Sequence, residues 1–256
     1  MKRAIVIAAL VLAFTVRGQD AASWWNALAA DGAIFDPLTI TGCKCWIDAS
    51  DDKTVLDWGG NQATNNGVVH IITDKSGNSN DATALQYSYE PLKMTGMLNG
   101  RNAVYFDGDN DYVEFPVISR FTNTIFVVVV AYPQTKGTVL FKSDALYLFV
   151  YDDGDLSINK YHGISTTPIL FGNGINMSAQ SRDAIYDELV NVPSVITMIN
   201  VGTEAWTGNF GFSKYGGFEF KGLLCEILWY DRVLSETEYY KVEKYLGSKW
   251  GITAAP

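Results

Sequence analysis

The sequence predicts an all-β protein, an antiparallel jelly-roll β-sandwich with a short C-terminal helix and an N-terminal apolar extension. Three observations predict it. From Cys43 onward, short apolar runs recur about every ten residues and are broken by Gly, Asn and Asp, the punctuation of strands joined by tight turns. The chain holds 14 Tyr, 13 Phe, 7 Trp and 23 Gly with only 18% charged residues, a composition that suits pleated, half-buried strands. At 256 residues and 48% hydrophobic content it is long enough to bury one full core, and sandwiches of this size are commonly single domains.

Taken in order, Met1-Lys2-Arg3 and the apolar run from Ala4 to Val16 have the charged start and short apolar stretch of a secretory signal. Thirteen residues are too few to span a bilayer comfortably. Arg17 stands where small residues should precede a cleavage site, so the signal is imperfect. Retained instead, the segment would need burial against neighbouring subunits, with Ile5, Ile7, Leu10, Leu12 and Phe14 as its apolar contacts. Residues 20–41 read as a linker that docks, with Trp24 and Trp25 as anchors. The division is therefore residues 1–41 as anchor or signal with linker, and 42–256 as the sandwich domain.

Within the domain the strands are expected at Ala103–Phe106, Tyr112–Phe115, Thr124–Tyr132, Gly137–Lys142, Ala145–Tyr151 and Ser194–Val201. Thr124–Tyr132 is apolar throughout rather than alternating, which places it mid-sheet with both faces covered, or inside a subunit interface. Phe218–Tyr230 reads as a final strand pair with a glycine bend. Ser235 with Glu238 three residues on forms a capping box, and the helix it opens runs to about Gly247, with Leu234, Val242 and Leu246 facing the sandwich.

Three cysteines leave no complete disulfide framework. Cys43 and Cys45, two apart, are expected on the same side of a strand, and Cys225 is expected to be a buried thiol. A net charge of −9, with no Lys/Arg cluster after residue 3, removes the attraction that drives phosphate-backbone binding, so nucleic acid is not an expected partner.

Four segments in order, from about residue 43 to 252, carry a family resemblance. They are Cys45-Trp46-Ile47-Asp48-Ala49-Ser50-Asp51, Asp74-Lys75-Ser76-Gly77-Asn78-Ser79-Asn80-Asp81-Ala82, the hairpin Ala103–Val113 around Phe106-Asp107-Gly108, and Gly222–Glu236. With these the chain resembles laminin-G-like domains of the concanavalin-A-like lectin/glucanase superfamily, in a variant common in phage virion proteins. The resemblance implies a jelly roll of two curved sheets used for glycan or protein contact, and fold alone does not fix which.

Catalytic signals are weak. The superfamily's glucanases place alternating acidic residues on one strand, and no such segment occurs; Asp152-Asp153-Gly154-Asp155 reads as a hairpin turn. Only His70 and His162 are present, neither in a motif with a mechanism. The expectation is a protein that is not an enzyme and requires no cofactor. Calcium is the cation the loops would suit, through Asp74, Asn78, Asn80, Asp107 and Asp109; the alternative is that these residues make side-chain turns and hairpin caps. Glycan stacking would fall to the loop aromatics Trp58, Tyr87, Tyr89, Tyr161 and Trp206, while Trp46, Trp229 and Trp250 lie in core motifs. The first functional expectation is a virion structural protein, a capsid decoration or tail component, whose domain serves assembly or host-surface contact. Its partners would be other virion subunits or copies of itself, with a surface glycan as ligand. The alternative is a secreted or cell-surface carbohydrate-binding protein with a cleaved signal peptide, and a degenerate glucan hydrolase comes third.

Overall fold

A computed structural model describes residues 35–116, 123–134, 138–142, 147–151, 154–155, 157, 161–162, 168–200, 210–213 and 217–253. Among them sixteen strands form two antiparallel sheets. The first sheet runs β13 (Ile175–Asn176), β12 (Ile169–Gly172), β14 (Pro193–Asn200), β8 (Asn123–Ala131), β16 (Lys221–Tyr230), β6 (Arg101–Asp107) and β5 (Leu92–Leu98). On the free side of β16, β6 pairs with its first half and β1 (Cys43–Asp48) with its second. The second sheet runs β11 (Tyr161–His162), β10 (Tyr147–Tyr151), β9 (Thr138–Lys142), β15 (Phe210–Phe212), β7 (Val113–Phe115), β4 (Ala82–Thr83), β3 (Ile71–Ile72) and β2 (Val55–Leu56). The six strands expected between residues 103 and 201 are all present, their ends within two residues of the expected ones.

One core lies between the sheets and joins Ile47, Val104, Ile125, Val127 and Trp229 of the first to Val55, Val113, Phe141, Phe210 and Phe212 of the second. A second core covers the outer face of the first sheet, where Phe126, Val128, Leu228 and Tyr230 meet Leu234, Tyr239, Val242, Leu246 and Trp250. Every residue of β8 is buried, and from Ile125 to Ala131 alternate side chains enter the two cores, which is why that stretch is continuously apolar. The 35–41 segment docks on this outer layer: Ile40 is buried in it, Phe35 meets Tyr245 at 5.6 Å, and Tyr230 Oη donates to the Pro37 carbonyl at 3.1 Å. Residues 1–34, with the whole apolar extension, lie outside the described residues.

The outer layer is closed by the C-terminal helix, here α2 (Glu236–Trp250). Ser235 accepts from the Glu238 N–H and Glu238 accepts from the Ser235 N–H, the expected capping box. The helix does not stop at Gly247: it continues to Trp250, and Gly251 at φ +69° supplies the left-handed cap. Burying Tyr239, Val242, Leu246 and Trp250 on one stripe stabilises the docked helix by about 1.5–3 kcal/mol for each large side chain.

Two further expectations are corrected, and one element is new. The segment 218–230 holds one long strand, not a strand pair, and Gly222 lies inside it at φ +145°, where a Cβ would sit 2.1 Å from the Val130 carbonyl oxygen. Cys43 and Cys45 do not share a face, because a bulge between them sends Cys45 into the inter-sheet core and Cys43 against the outer one. A helix that strand periodicity could not show, α1 (Arg182–Leu189), packs on β10; Ser181 caps it through the Ala184 N–H at 3.1 Å, and Arg182 pairs with Asp155 at 2.8 Å. Asp155 is thus bound into the fold, while Asp152 and Asp153 lie outside the described residues.

Candidate functional site

At the β2 end of the second sheet the chain builds an exposed aromatic stack. After Leu56 the backbone reverses through Asp57-Trp58-Gly59-Gly60-Asn61: Asp57 Oδ1 accepts from the N–H groups of Gly59 and Asn61 at 2.8 and 2.9 Å, and Gly60 takes φ +74°. This turn holds Trp58 outward. His70, just before β3, is pinned on both sides of its backbone, donating to the Leu56 carbonyl and accepting from the Ala84 N–H, each at 2.8 Å. Its ring stacks on Trp58 with centroids 3.5 Å apart and 19° between planes. Tyr87, in a 3-10 turn (Tyr87–Tyr89), stacks on the same indole at 4.2 Å and 21°. Tyr87 is 71% exposed and Trp58 37%. Val68 and Leu85, also exposed, lie two residues from His70 and Tyr87, so four of the nine large exposed hydrophobics among the described residues fall in this one stretch of chain.

Next to His70 is Glu90, which follows the 3-10 turn. Its side chain is 1% exposed, its Oε1 lies 3.7 Å from His70 Nδ1, and neither of its oxygens nor that nitrogen has a hydrogen-bond partner. Burial pushes the Glu90 carboxyl up and the His70 imidazole down, the latter opposed by a hydrogen bond with the Ala84 backbone. Asp111 is close enough to feel the Glu90 charge; burial first, then Asp107, Asp109 and Glu90, push its carboxyl up to about 7. Chemically the site offers an exposed aromatic face, the kind of surface that holds sugar rings by stacking, with a buried carboxyl beside the stack.

Of the five aromatics expected to bind glycan, Trp58 and Tyr87 come together here. Tyr89 turns the other way and meets Tyr112 at 5.2 Å, with its carbonyl accepting from the Tyr112 N–H. Tyr161 is in β11, on the far edge of the second sheet; Trp206 lies outside the described residues, as do Ile5, Ile7, Leu10, Leu12, Phe14, Trp24 and Trp25. His70 and Glu90 are additions to the expected set. The two acidic loops are stitched into the fold by their own backbone. Asp74 accepts from the N–H groups of Trp46, Ser76 and Asn80 at 2.8–3.0 Å, and the Asn78 and Asn80 amides donate to the carbonyls of Cys43 and Lys44. Asp107 accepts from the Asp109 and Asn110 N–H groups. Among the described residues no group of three or more His, Cys, Asp or Glu is placed to hold a metal ion.

The remaining motif residues meet beneath α2. A second bulge, at Cys225, turns both Cys225 and Glu226 toward the helix. The fully buried Glu226 carboxylate accepts from Trp46 Nε1, Trp250 Nε1 and Tyr245 Oη at 2.7–2.8 Å, and Lys249 Nζ lies 2.8 Å away. Lys249 also reaches Asp48 at 2.8 Å, and Lys75 bridges Asp48 and Asp51 at 3.0 and 2.9 Å. Asp48 is held below the usual carboxylate range: burial opposes this, and Lys249, Ser50 and Lys75 outweigh it. Burial pushes Glu226 up, against the pull of Lys249 and Trp250. Thus Trp46, Asp48, Asp51, Lys75, Glu226 and Lys249 lock β1, the 74–81 loop and the helix together, and every one of them has a partner inside the fold.

Fold and site together define an antiparallel β-sandwich with an aromatic surface platform at the edge of one sheet. No protein-family model and no curated protein sequence matches the chain.

Proposed function

We propose that the chain is a non-enzymatic recognition protein whose laminin-G-like domain binds carbohydrate through the Trp58–Tyr87 platform. The observation that carries this reading is the near-parallel stacking of Tyr87, Trp58 and His70 at an exposed edge. An aromatic ring that needed only burial would gain more in the core; here an aromatic face is left in water, where a sugar ring can cover it. The test is a glycan array followed by titration calorimetry on the full chain and on Trp58→Ala and Tyr87→Ala. Loss of one stacking ring is expected to weaken binding roughly tenfold, an order set by the ~0.5–1.5 kcal/mol of an aromatic contact plus its buried area. Binding that survives both substitutions unchanged, or a blank array, overturns the proposal.

For the place where the domain is displayed we propose a virion, with the apolar segment 4–16 as an assembly anchor. The observation favouring it over export is Arg17, placed where a signal peptidase requires small residues. N-terminal sequencing of the native chain tests it: a start at Met1 or Lys2 supports the anchor, and a start near residue 20 shows export and removes it.

A further inference from the structure

We propose that the platform selects saccharides that carry no negative charge, and that Glu90 sets this preference; the inference rests on the platform being the binding surface. Glu90 is buried with both carboxylate oxygens unpartnered, and the imidazole it faces at 3.7 Å is the ring stacked on Trp58. Its charge therefore lies beside one ring of the stack whose most exposed member, Tyr87, a ligand would cover. Two more carboxylates bear on the platform: Asp57, on the turn that carries Trp58 and capping it through the Gly59 and Asn61 N–H groups, and Asp111, within electrostatic reach of Glu90. Among the described residues no Lys or Arg pairs with Glu90, Asp57 or Asp111. The nearby cation Lys93 is committed elsewhere, to Asp52 at 2.6 Å and the Ala63 carbonyl at 2.9 Å.

Among the described residues the stack therefore lies in the field of carboxylates with no compensating cation. A carboxylate field repels a uronate or sulfate and leaves a neutral, hydroxyl-bearing sugar unopposed. The aromatic rim and the burial of Glu90 lower the local dielectric, which strengthens this repulsion beyond its value between surface charges. Glu90 would act as a specificity residue through this field and through His70.

The experiment compares neutral hexasaccharides of glucose, galactose and mannose with hexagalacturonate, the acidic counterpart of the galactose series. Titrations use the full chain, Trp58→Ala and Glu90→Gln, at pH 7.5 in low salt. We expect hexagalacturonate to bind at least tenfold more weakly than the best neutral sugar, and the gap to narrow below threefold in Glu90→Gln. A salt series on the unsubstituted chain reads the same field without any substitution: the gap should shrink as salt rises. Hexagalacturonate binding as tightly as the neutral sugars in a Trp58-dependent manner overturns the charge selection while leaving the platform standing. An unchanged gap in a folded Glu90→Gln variant overturns the role of Glu90. Absence of Trp58-dependent binding by any sugar overturns the platform itself, and this inference with it.

Discussion

Replacing Lys249 by Met removes the cation that lies between two buried carboxylates while keeping a side chain of similar length beside the Tyr245 and Trp250 rings. Lys249 Nζ is 2.8 Å from both Asp48 Oδ1 and Glu226 Oε2, and its side chain is only 11% exposed. After the change Asp48 still has Lys75 at 3.0 Å and Ser50 Oγ at 2.6 Å. Glu226 keeps its two indole N–H donors and the Tyr245 hydroxyl but loses the one cation that pairs with it among the described residues. Removing one partner of a buried ion pair costs about 3–5 kcal/mol, and three surviving donors place this case near 3. In a domain of this size 1 kcal/mol moves Tm by about 2–4 °C, so a fall of roughly 6–12 °C is expected. Thermal melts at pH 7 followed by near-UV circular dichroism, which reads the buried tryptophans, measure it. Adding Glu226→Gln to Lys249→Met should recover part of the loss, because no unpaired charge then remains, and the double-mutant coupling should exceed about 1 kcal/mol. A Tm within 2 °C of the parent, or strict additivity in the double mutant, would show that the network does not hold α2 in place.

Gly222→Ala should cost more than about 3 kcal/mol or abolish folding, since φ +145° and the Val130 carbonyl at 2.1 Å leave no room for a Cβ; soluble yield and urea melts read this, and a near-normal melt refutes it. Glu238→Gln should remove about 0.5–1 kcal/mol at neutral pH. Arg232 and the cap hydrogen bonds from Ser235 hold Glu238 down at about 2, so its contribution is full above the ordinary carboxylate range and is lost as pH falls from about 4.5 toward 2; a difference between parent and variant that does not shrink over that window contradicts the assignment. Glu90 has the opposite sign: burial raises its carboxyl, so the folded state holds a proton that the unfolded state gives up, and stability falls as pH rises above the ordinary carboxylate range. Glu90→Gln should therefore gain on the parent as pH rises above about 4.5, and a constant or reversed difference in paired melts would count against it.

The strands were legible because burial on one or two faces leaves a direct trace in apolar spacing, as in 123–131 and 193–200. Bulges leave no such trace. Whether the residue beside Cys45 or Leu224 is extra depends on the partner strand, and this hid the separation of Cys43 from Cys45 and the inward turn of Glu226. The helix 182–189 has only Ile185 and Leu189 as buried residues, too short a stripe to show a period, though Ser181 was a readable cap. Gly247 misled because a glycine facing the Ile252 carbonyl can stay helical when the true left-handed cap stands at Gly251. At the platform, Trp58 and Tyr87 could be picked as loop aromatics. Their meeting with His70, and the place of Glu90 beside it, depends on contacts across 12 to 29 positions that no local pattern encodes.

The lock beneath α2 also bears on how the protein is made. Trp46 and Asp48, at the first strand of the domain, find their partners in Glu226 and Lys249, and the central strand β16 pairs with β1, β6 and β8 at once. Until residues 221–250 have left the ribosome, the first sheet lacks its middle and Asp48 lacks one of its two cations. Until then the 123–131 strand lacks its β16 neighbour and the outer face of the first sheet lacks its helix, so apolar surface that the finished fold covers stays open to other chains.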